Sequence, residues 1–495
     1  MKTFGKAVHY LNALKKVWLP AVVVVAGLYL SFNVWASPQS RHDTAATKAD
    51  TLLAARIRAQ LNDRRNEAVL NYPASVARFY AQCQFQPVWV NSQKSAAQTW
   101  QAMLLLDCVL QFGLSHDDYH PTELSYNRLH DILEKPLLIS DDEKVRYDLI
   151  LTDALITFIN HLHYGKLNPV FSQVKIDRGT TDGFNASDVL IQAVGRPDFR
   201  KAVLSVQPKA KIYTDLQYHM HLLEGVYQGD CYDIPDSMVR KMAINMERLR
   251  WAAVNDSADI HINIPSFTLS FHRPDTTYQF KVVVGKPAWQ SPVLNSAISY
   301  FTTAPEWKIP KKIFAEEIYP RALRDITYLS RHHYGVYDAS GNYIGATLQA
   351  LKMVKNDPDR YYVSQFPGCD NSLGLIVFRF PNIYDIYLHD TPEQQFFKRE
   401  ERDFSHGCIR VEHAEQFAGL LLKYDGSANL VPAVHRAIAA KRRHDFKLKR
   451  PVPIKITYLT CEMKSGVLVT YKDIYDLDKR LEMALYNVSD PLAMK

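Results

Sequence analysis

At 495 residues, 47% apolar and 12% aromatic, the chain exceeds one ordinary domain and can fill two or more packed cores, which excludes a disordered or low-complexity protein. The net charge of +7 is mild; it suits an anionic polymer or membrane surface, but with no nucleic-acid-binding motif beside it the excess is read as background and no nucleic-acid partner is expected. Six cysteines (83, 108, 231, 369, 408 and 461) include no CxxC pair, which speaks against a structural zinc site.

Residues 1–16 carry Lys2, Lys6, Lys15 and Lys16 and no acid, and read as a cytoplasmic basic segment. The apolar run 17–36 is long enough to cross a bilayer once. It reads as a transmembrane anchor, with Val34-Trp35-Ala36 as the signal-cleavage alternative. Residues 37–50 are polar and form a linker. Helical patterns then dominate, giving an α-helical scaffold domain over 51–240. Pro73 opens a helix with Val76, Phe79, Tyr80 and Cys83 on one face. Ser140 and Glu143 form a capping-box signature for a helix with Val145, Leu149, Thr152, Ile156 and Ile159 on one face, and Gly165 stops it. Cys83 and Cys108 lie in helical patterns of one region and are read either as a disulfide or as two separate buried thiols. From about 255 the period changes to two: Phe267, Leu269 and Phe271 alternate with polar residues, and 282–284, 375–380 and 454–458 read as strands. Residues 241–495 therefore form a β-rich mixed α/β domain. Residues 300–365, rich in aromatics and charge, fit its strand pattern poorly and read as an inserted capping subdomain. Lys441-Arg442-Arg443 with Lys447, Lys449 and Arg450 reads as a solvated face or a contact for lipid headgroups or wall polymer.

The densest chemistry lies in Ser405-His406-Gly407-Cys408-Ile409-Arg410-Val411, followed by a helix with Ala414, Phe417, Ala418 and Leu421 on one face. Tyr387-Leu388-His389-Asp390-Thr391 lies upstream, its histidine nineteen positions before Cys408. A nucleophilic cysteine needs a base beside the thiol and donors where an oxyanion forms. Cys408 reads as nucleophile, His389 as general base at a strand end, and Asp390 either as its carboxylate anchor or as a turn former. Gly407 lets a carbonyl approach the main chain, backbone N–H groups around Gly407 and Cys408 read as oxyanion donors, and Ser405 bonds locally. His406 binds substrate or braces the loop. Arg410 pairs with a substrate carboxylate or with the protein. The helix after the motif is expected to favour the thiolate modestly through its dipole. No metal set is read from His389, Asp390, His406 and Cys408, because His-x-Cys matches no common zinc spacing.

These residues resemble the L,D-transpeptidase family, cysteine enzymes that cross-link bacterial peptidoglycan, in its long branch with a helical scaffold and a capping subdomain. Asn245-Met246-Glu247-Arg248-Leu249-Arg250-Trp251, Val284-Gly285-Lys286-Pro287, Trp307-Lys308-Ile309-Pro310, Asn371-Ser372-Leu373-Gly374 and Asp473-Ile474-Tyr475 fit the same branch. The resemblance implies a multidomain α+β fold, no cofactor, and a substrate-binding set of Arg410, Tyr387, Asp390, Thr391, Trp307 and Arg402. It implies acylation of Cys408 by a donor tetrapeptide stem with release of D-alanine, then transfer to an acceptor stem as a 3→3 cross-link, and carbapenem sensitivity. The alternatives are an L,D-carboxypeptidase or cross-link hydrolase, attachment of a lipoprotein to peptidoglycan, and a non-enzymatic wall-binding scaffold. The implied location is the periplasm of a Gram-negative type envelope, tethered to the inner membrane or secreted after cleavage. One departure stands out. Relatives of this branch carry a compact peptidoglycan-binding module between scaffold and catalytic domain, and the stretch 228–239 is too short for one.

Overall fold

The structure, a computed structural model, describes residues 48–63, 69–91, 95–224, 236–252 and 260–488. The basic segment and apolar run expected over 1–36 lie outside these residues, as does Cys231. Among the described residues no helix is long and apolar enough to cross a membrane.

The scaffold is built around the helix Asp141–Tyr164. Ser140 and Glu143 cap it reciprocally, and Gly165 ends it. The expected single apolar face understates its burial. Eighteen of its twenty-four residues are buried, because other helices surround it on all sides. Its acids are used rather than excluded. Asp153 accepts from the Asn71 and Tyr72 backbone N–H groups, at 2.9 and 2.8 Å. Asp177, from the neighbouring helix Gln173–Asp177, accepts from Ala74 and Ser75. These carboxylates satisfy the N-terminus of the helix Pro73–Gln82, which has proline at its start and no side-chain cap of its own. Asp148 accepts from the N–H groups of Val88, Trp89 and Val90, and burial pushes its carboxyl up to about 6. Cys83 and Cys108 are not joined; each sits just past the end of a helix, so the disulfide reading gives way to two separate thiols.

The second region is a mixed sheet of β1 (Ile260–Asn263), β2 (Thr268–His272), β3 (Thr277–Gly285), β4 (Leu294–Thr303), β9 (Ile376–Arg379), β10 (Leu388–His389), β11 (Asp403–Ser405), β12 (Ile409–Val411) and β13 (His444–Thr457). Its order is β11-β3-β12-β10-β9-β4-β13-β1-β2, and β2 also pairs with β3, so the sheet closes on itself. Closure removes the exposed edges that an open sheet must protect. The interior holds Val282, Val284, Phe301, Phe378, Leu388, Ile409 and Ile454, covered by the helices Ala414–Tyr424 and Val431–Ala439. The basic run from 441 enters β13 with Phe446 and Leu448 buried and the Lys447 and Lys449 side chains outward, a solvated strand face.

Between β4 and β9 the chain makes a separate four-stranded sheet of β5 (Trp307–Lys308), β6 (Tyr334–Asp338), β7 (Tyr343–Gly345) and β8 (Tyr361–Gln365), in the order β5-β8-β6-β7. Short helices cover one face and give it its own core, including Ile309, Phe314, Val336, Leu351 and Val363. The insertion expected over 300–365 exists, but residues 300–303 belong to β4 of the main sheet.

The helix Ser237–Ala252 joins the two regions, and the expected boundary at 240 falls inside it. Its Asn245-to-Trp251 segment is a structural weld. Asn245 bonds Thr460, and Arg248 bonds Asp478 at 2.6 Å. Glu247 accepts from the Leu167 N–H and from Trp251. Arg250, fully buried, donates to Glu247, the Phe112 carbonyl and Tyr213. The C-terminal residues Leu459, Cys461 and Leu485 return to pack against this helix and the helix Lys211–Glu224.

Candidate active site

The register of two short parallel strands builds the site. Leu388 pairs with Ile409 and His389 with Arg410. Side chains alternate faces along a strand. Leu388, Ile409 and Val411 go into the core, all fully buried. Tyr387, His389, Cys408 and Arg410 therefore share the opposite face, and all four line one cleft of about 1400 Å³. The inserted subdomain forms its other wall, contributing Trp307, Lys312, Glu317, Tyr328 and Tyr334.

Cys408 leaves a loop that passes over the end of β3. Ser405 pairs with Gly285 on one side of β3, and Arg410 pairs with Val283 on the other. Gly407 makes the passage with φ +108°, open to glycine and strained for other residues. The Ser405 hydroxyl donates to the Cys408 carbonyl at 2.5 Å and accepts from the Gly407 N–H at 3.1 Å. The Gly407 N–H is thus engaged inside the loop, a correction to its reading as an oxyanion donor. From below, the Ser291 hydroxyl donates to the Gly407 carbonyl at 2.7 Å and accepts from the Gly285 N–H. The Tyr475 hydroxyl donates to the Gly285 carbonyl at 2.6 Å. Gly285 is required here, since a Cβ would stand 2.0 Å from the Trp289 carbonyl oxygen.

The thiol is half-buried. Burial pushes it up to about 11, opposed by the backbone N–H and hydroxyl of Tyr387 and by the charges of Arg379 and Arg410. The expected thiolate-favouring effect of the following helix is not seen; β12 intervenes before the helix Ala414–Tyr424 begins. Burial, then Arg410, pushes His389 down to about 3, so its ring is neutral. Its Nδ1 bonds the Asp390 main-chain carbonyl at 2.5 Å, and the Leu373 carbonyl also faces the ring. The brace is therefore a carbonyl, not the Asp390 carboxylate. That carboxylate turns away to the Leu375 N–H and Gln394, facing a groove along the helix Ala414–Tyr424.

Tyr387 packs edge-on to His389, bonds Trp307, and carries Arg379 over its ring. His406 bonds Glu317 of the inserted subdomain at 2.5 Å and meets Trp289 edge-on, so it braces the loop against the insertion. Arg410 pairs with Glu393 at 2.5 Å, while its Nε is buried without a partner. Besides Asp390, two further expected substrate contacts lie elsewhere. Arg402 spends its donors on the carbonyls of Val282, Arg399, Glu400 and Phe267, and Thr391 is buried, accepting from the Glu393 N–H. Neither lines the cleft. Sequence reasoning missed Ser291, Glu317, Arg379 and Glu393, which sit far from the motif or lack a pattern. Tyr475 was legible only as part of a segment that fits the family. Among the described residues no cluster of three or more His, Cys, Asp or Glu is placed to hold a metal.

A closed mixed sheet sets a cysteine and a neutral histidine on one face of a cleft, roofed by an inserted subdomain. Residues 257–453 match the family described as the L,D-transpeptidase catalytic domain, and residues 74–220 match a Scaffold domain. The chain is 26% identical over 426 residues to a Haemophilus influenzae protein named "Putative L,D-transpeptidase", covering 84% of this chain and 81% of that protein. The chain thus carries an L,D-transpeptidase catalytic domain, β-rich, behind a helical Scaffold domain.

Proposed function

We propose that the protein is a peptidoglycan L,D-transpeptidase that forms 3→3 cross-links, with Cys408 as nucleophile and His389 as general base. The observation that carries this is the β10–β12 register, which sets Tyr387, His389, Cys408 and Arg410 on one face of the cleft. At rest both groups are neutral, so proton transfer accompanies attack. The His389 Nε2 takes the thiol proton as sulfur adds to the carbonyl between diaminopimelate and D-alanine. The Tyr387 hydroxyl, already directed at the sulfur, and the Cys408 N–H stabilise the oxyanion. His389 returns the proton to the departing D-alanine amine as the C–N bond breaks. An acceptor-stem amine then attacks the thioester, its proton passes to His389, and as the C–S bond breaks His389 hands that proton to the departing Cys408 sulfur, restoring the neutral pair. Arg410, lining the cleft beside Glu393, suits a stem carboxylate. The run 17–36 with its basic flank supports tethering in the inner membrane and a periplasmic catalytic domain.

The deciding experiment incubates the fragment 37–495 with purified tetrapeptide muropeptides and reads products by mass spectrometry. Cross-linked dimer with released D-alanine supports the reading. Tripeptide alone makes the protein a carboxypeptidase, and unchanged substrate together with an iodoacetamide-inert Cys408 leaves a wall-binding scaffold.

A further inference from the structure

The insertion has two faces. One packs on its own helices; the other carries a row of rings. Lys308, Tyr362, Tyr337 and Tyr343 follow one another across β5, β8, β6 and β7. The registers Lys308–Ser364, Tyr337–Tyr362 and Tyr337–Tyr343 place them on one face of the sheet. Tyr337 and Tyr362 are near-parallel with centroids 5.6 Å apart, and the Lys308 ammonium stands 4.0 Å from the Tyr362 centroid. Tyr343 lies edge-on to Tyr337 at 5.6 Å, and Phe366 stands 6.2 and 6.4 Å from those two rings. Gly335 floors this triangle; a Cβ there would meet the Tyr343 ring at 2.7 Å. Cross-strand ring pairs stabilise a sheet, which accounts for Tyr337 and Tyr362. It does not account for Tyr343 at 58% and Phe366 at 41% exposure, rings that a solvent-facing sheet would replace with charge.

We propose that this outer face of the insertion is a glycan platform, binding a strand of β-linked N-acetylated hexosamines as it leaves the cleft. Three features select that occupant. The patch is aromatic and hydroxyl-rich, so it offers ring surfaces to the C–H faces of pyranoses and phenols and an ammonium to their hydroxyls. Its β5 end is also the cleft wall, since Trp307 and Lys308 line the cleft while Lys308 reaches over Tyr362. A stem peptide held at Cys408 is covalently attached to its glycan, which must cross a surface adjoining the cleft. This last step rests on the transpeptidase reading; the first two do not.

The test uses the fragment 37–495 with Cys408→Ala, and a stem-free chito-oligosaccharide as probe, so that no peptide contact contributes. Calorimetric titration should show binding that falls at least tenfold in Tyr343→Ala and in Phe366→Ala and is largely kept in Tyr343→Phe, which leaves a ring over Gly335. Thermal melting confirms that each variant folds. In a Cys408 background the same variants should acylate with a small tetrapeptide substrate at the parent rate. No binding of the oligosaccharide, or equal binding by Tyr343→Ala and Phe366→Ala, overturns the proposal. Intact acylation with no glycan binding sinks the platform alone; failed acylation by the parent with Tyr343-dependent glycan binding sinks the transpeptidase reading and leaves the platform standing.

Discussion

Arg250 in the weld and Arg410 in the cleft each pair with a glutamate, and the two pairs differ in what they face. Arg250 and Glu247 are fully buried, and their remaining contacts run inward to Phe112, Tyr213, Leu167 and Trp251. Arg410 and Glu393 stand on a cleft wall and Glu393 is half exposed, although both arginines keep a buried Nε without a partner. A network closed on itself fixes how two regions sit together, whereas one open to a cavity keeps polar capacity for a ligand. The same contrast separates His389, held by carbonyls with its ring facing the cleft, from Asp390, whose carboxylate is consumed by the Leu375 N–H.

The sharpest break in this contrast is at the thiol. Cys408→Ala should abolish covalent addition of a carbapenem, read by intact mass, while the melting temperature stays close to that of the parent. The weld should behave in the opposite way. Arg250→Ala leaves Glu247 buried without its cation and should cost about 3–5 kcal/mol of stability in denaturant titration. The acylation rate per folded molecule should be unchanged, and a slowed rate would mean that the weld reaches the site. Next comes His389→Ala, expected to slow acylation by roughly 100-fold. A change within threefold would move the base role to His406. Smaller is the effect of Glu317→Gln, which weakens the tie between insertion and cysteine loop. It should raise the ratio of hydrolysed tripeptide to cross-linked dimer a few-fold, as expected for one hydrogen bond of about 1 kcal/mol, because a looser roof admits water to the thioester.

The resting protonation states give a pH test. A thiol pushed up to about 11 beside a histidine pushed down to about 3 is protonated and unpaired with imidazolium at neutral pH. Its thiolate fraction rises as pH approaches 11. Iodoacetamide labelling of Cys408 should therefore climb about tenfold per unit from pH 6 to 9 without a plateau. A plateau with a midpoint below 7 would reveal a preformed thiolate–imidazolium pair.

Local signals were enough for much of the architecture. Pro73, the Ser140–Glu143 box and Gly165 mark helix ends because capping is settled within a turn or two of chain. The cysteine and histidine motifs stood out because reactive residue types were clustered along the sequence. The residues that hold them in place were hidden. Ser291 and Tyr475 reach Gly407 and Gly285 only after the sheet closes, and Glu317 meets His406 only because the insertion folds over the cleft. Nearness in sequence also misled: Asp390, Thr391 and Arg402 flank the motifs and turn away from the cleft.

By itself, then, the sequence determined the helical first half, the β-rich second half, the insertion and the proposed reactive pair, all carried by periodicity, capping and residue type over short spans. Only the tertiary structure decided which neighbours act together. One-residue alternation along β10 and β12 sends Leu388 and Ile409 to the core and His389 and Cys408 to the cleft, and that pleat has meaning only once the two strands pair in register.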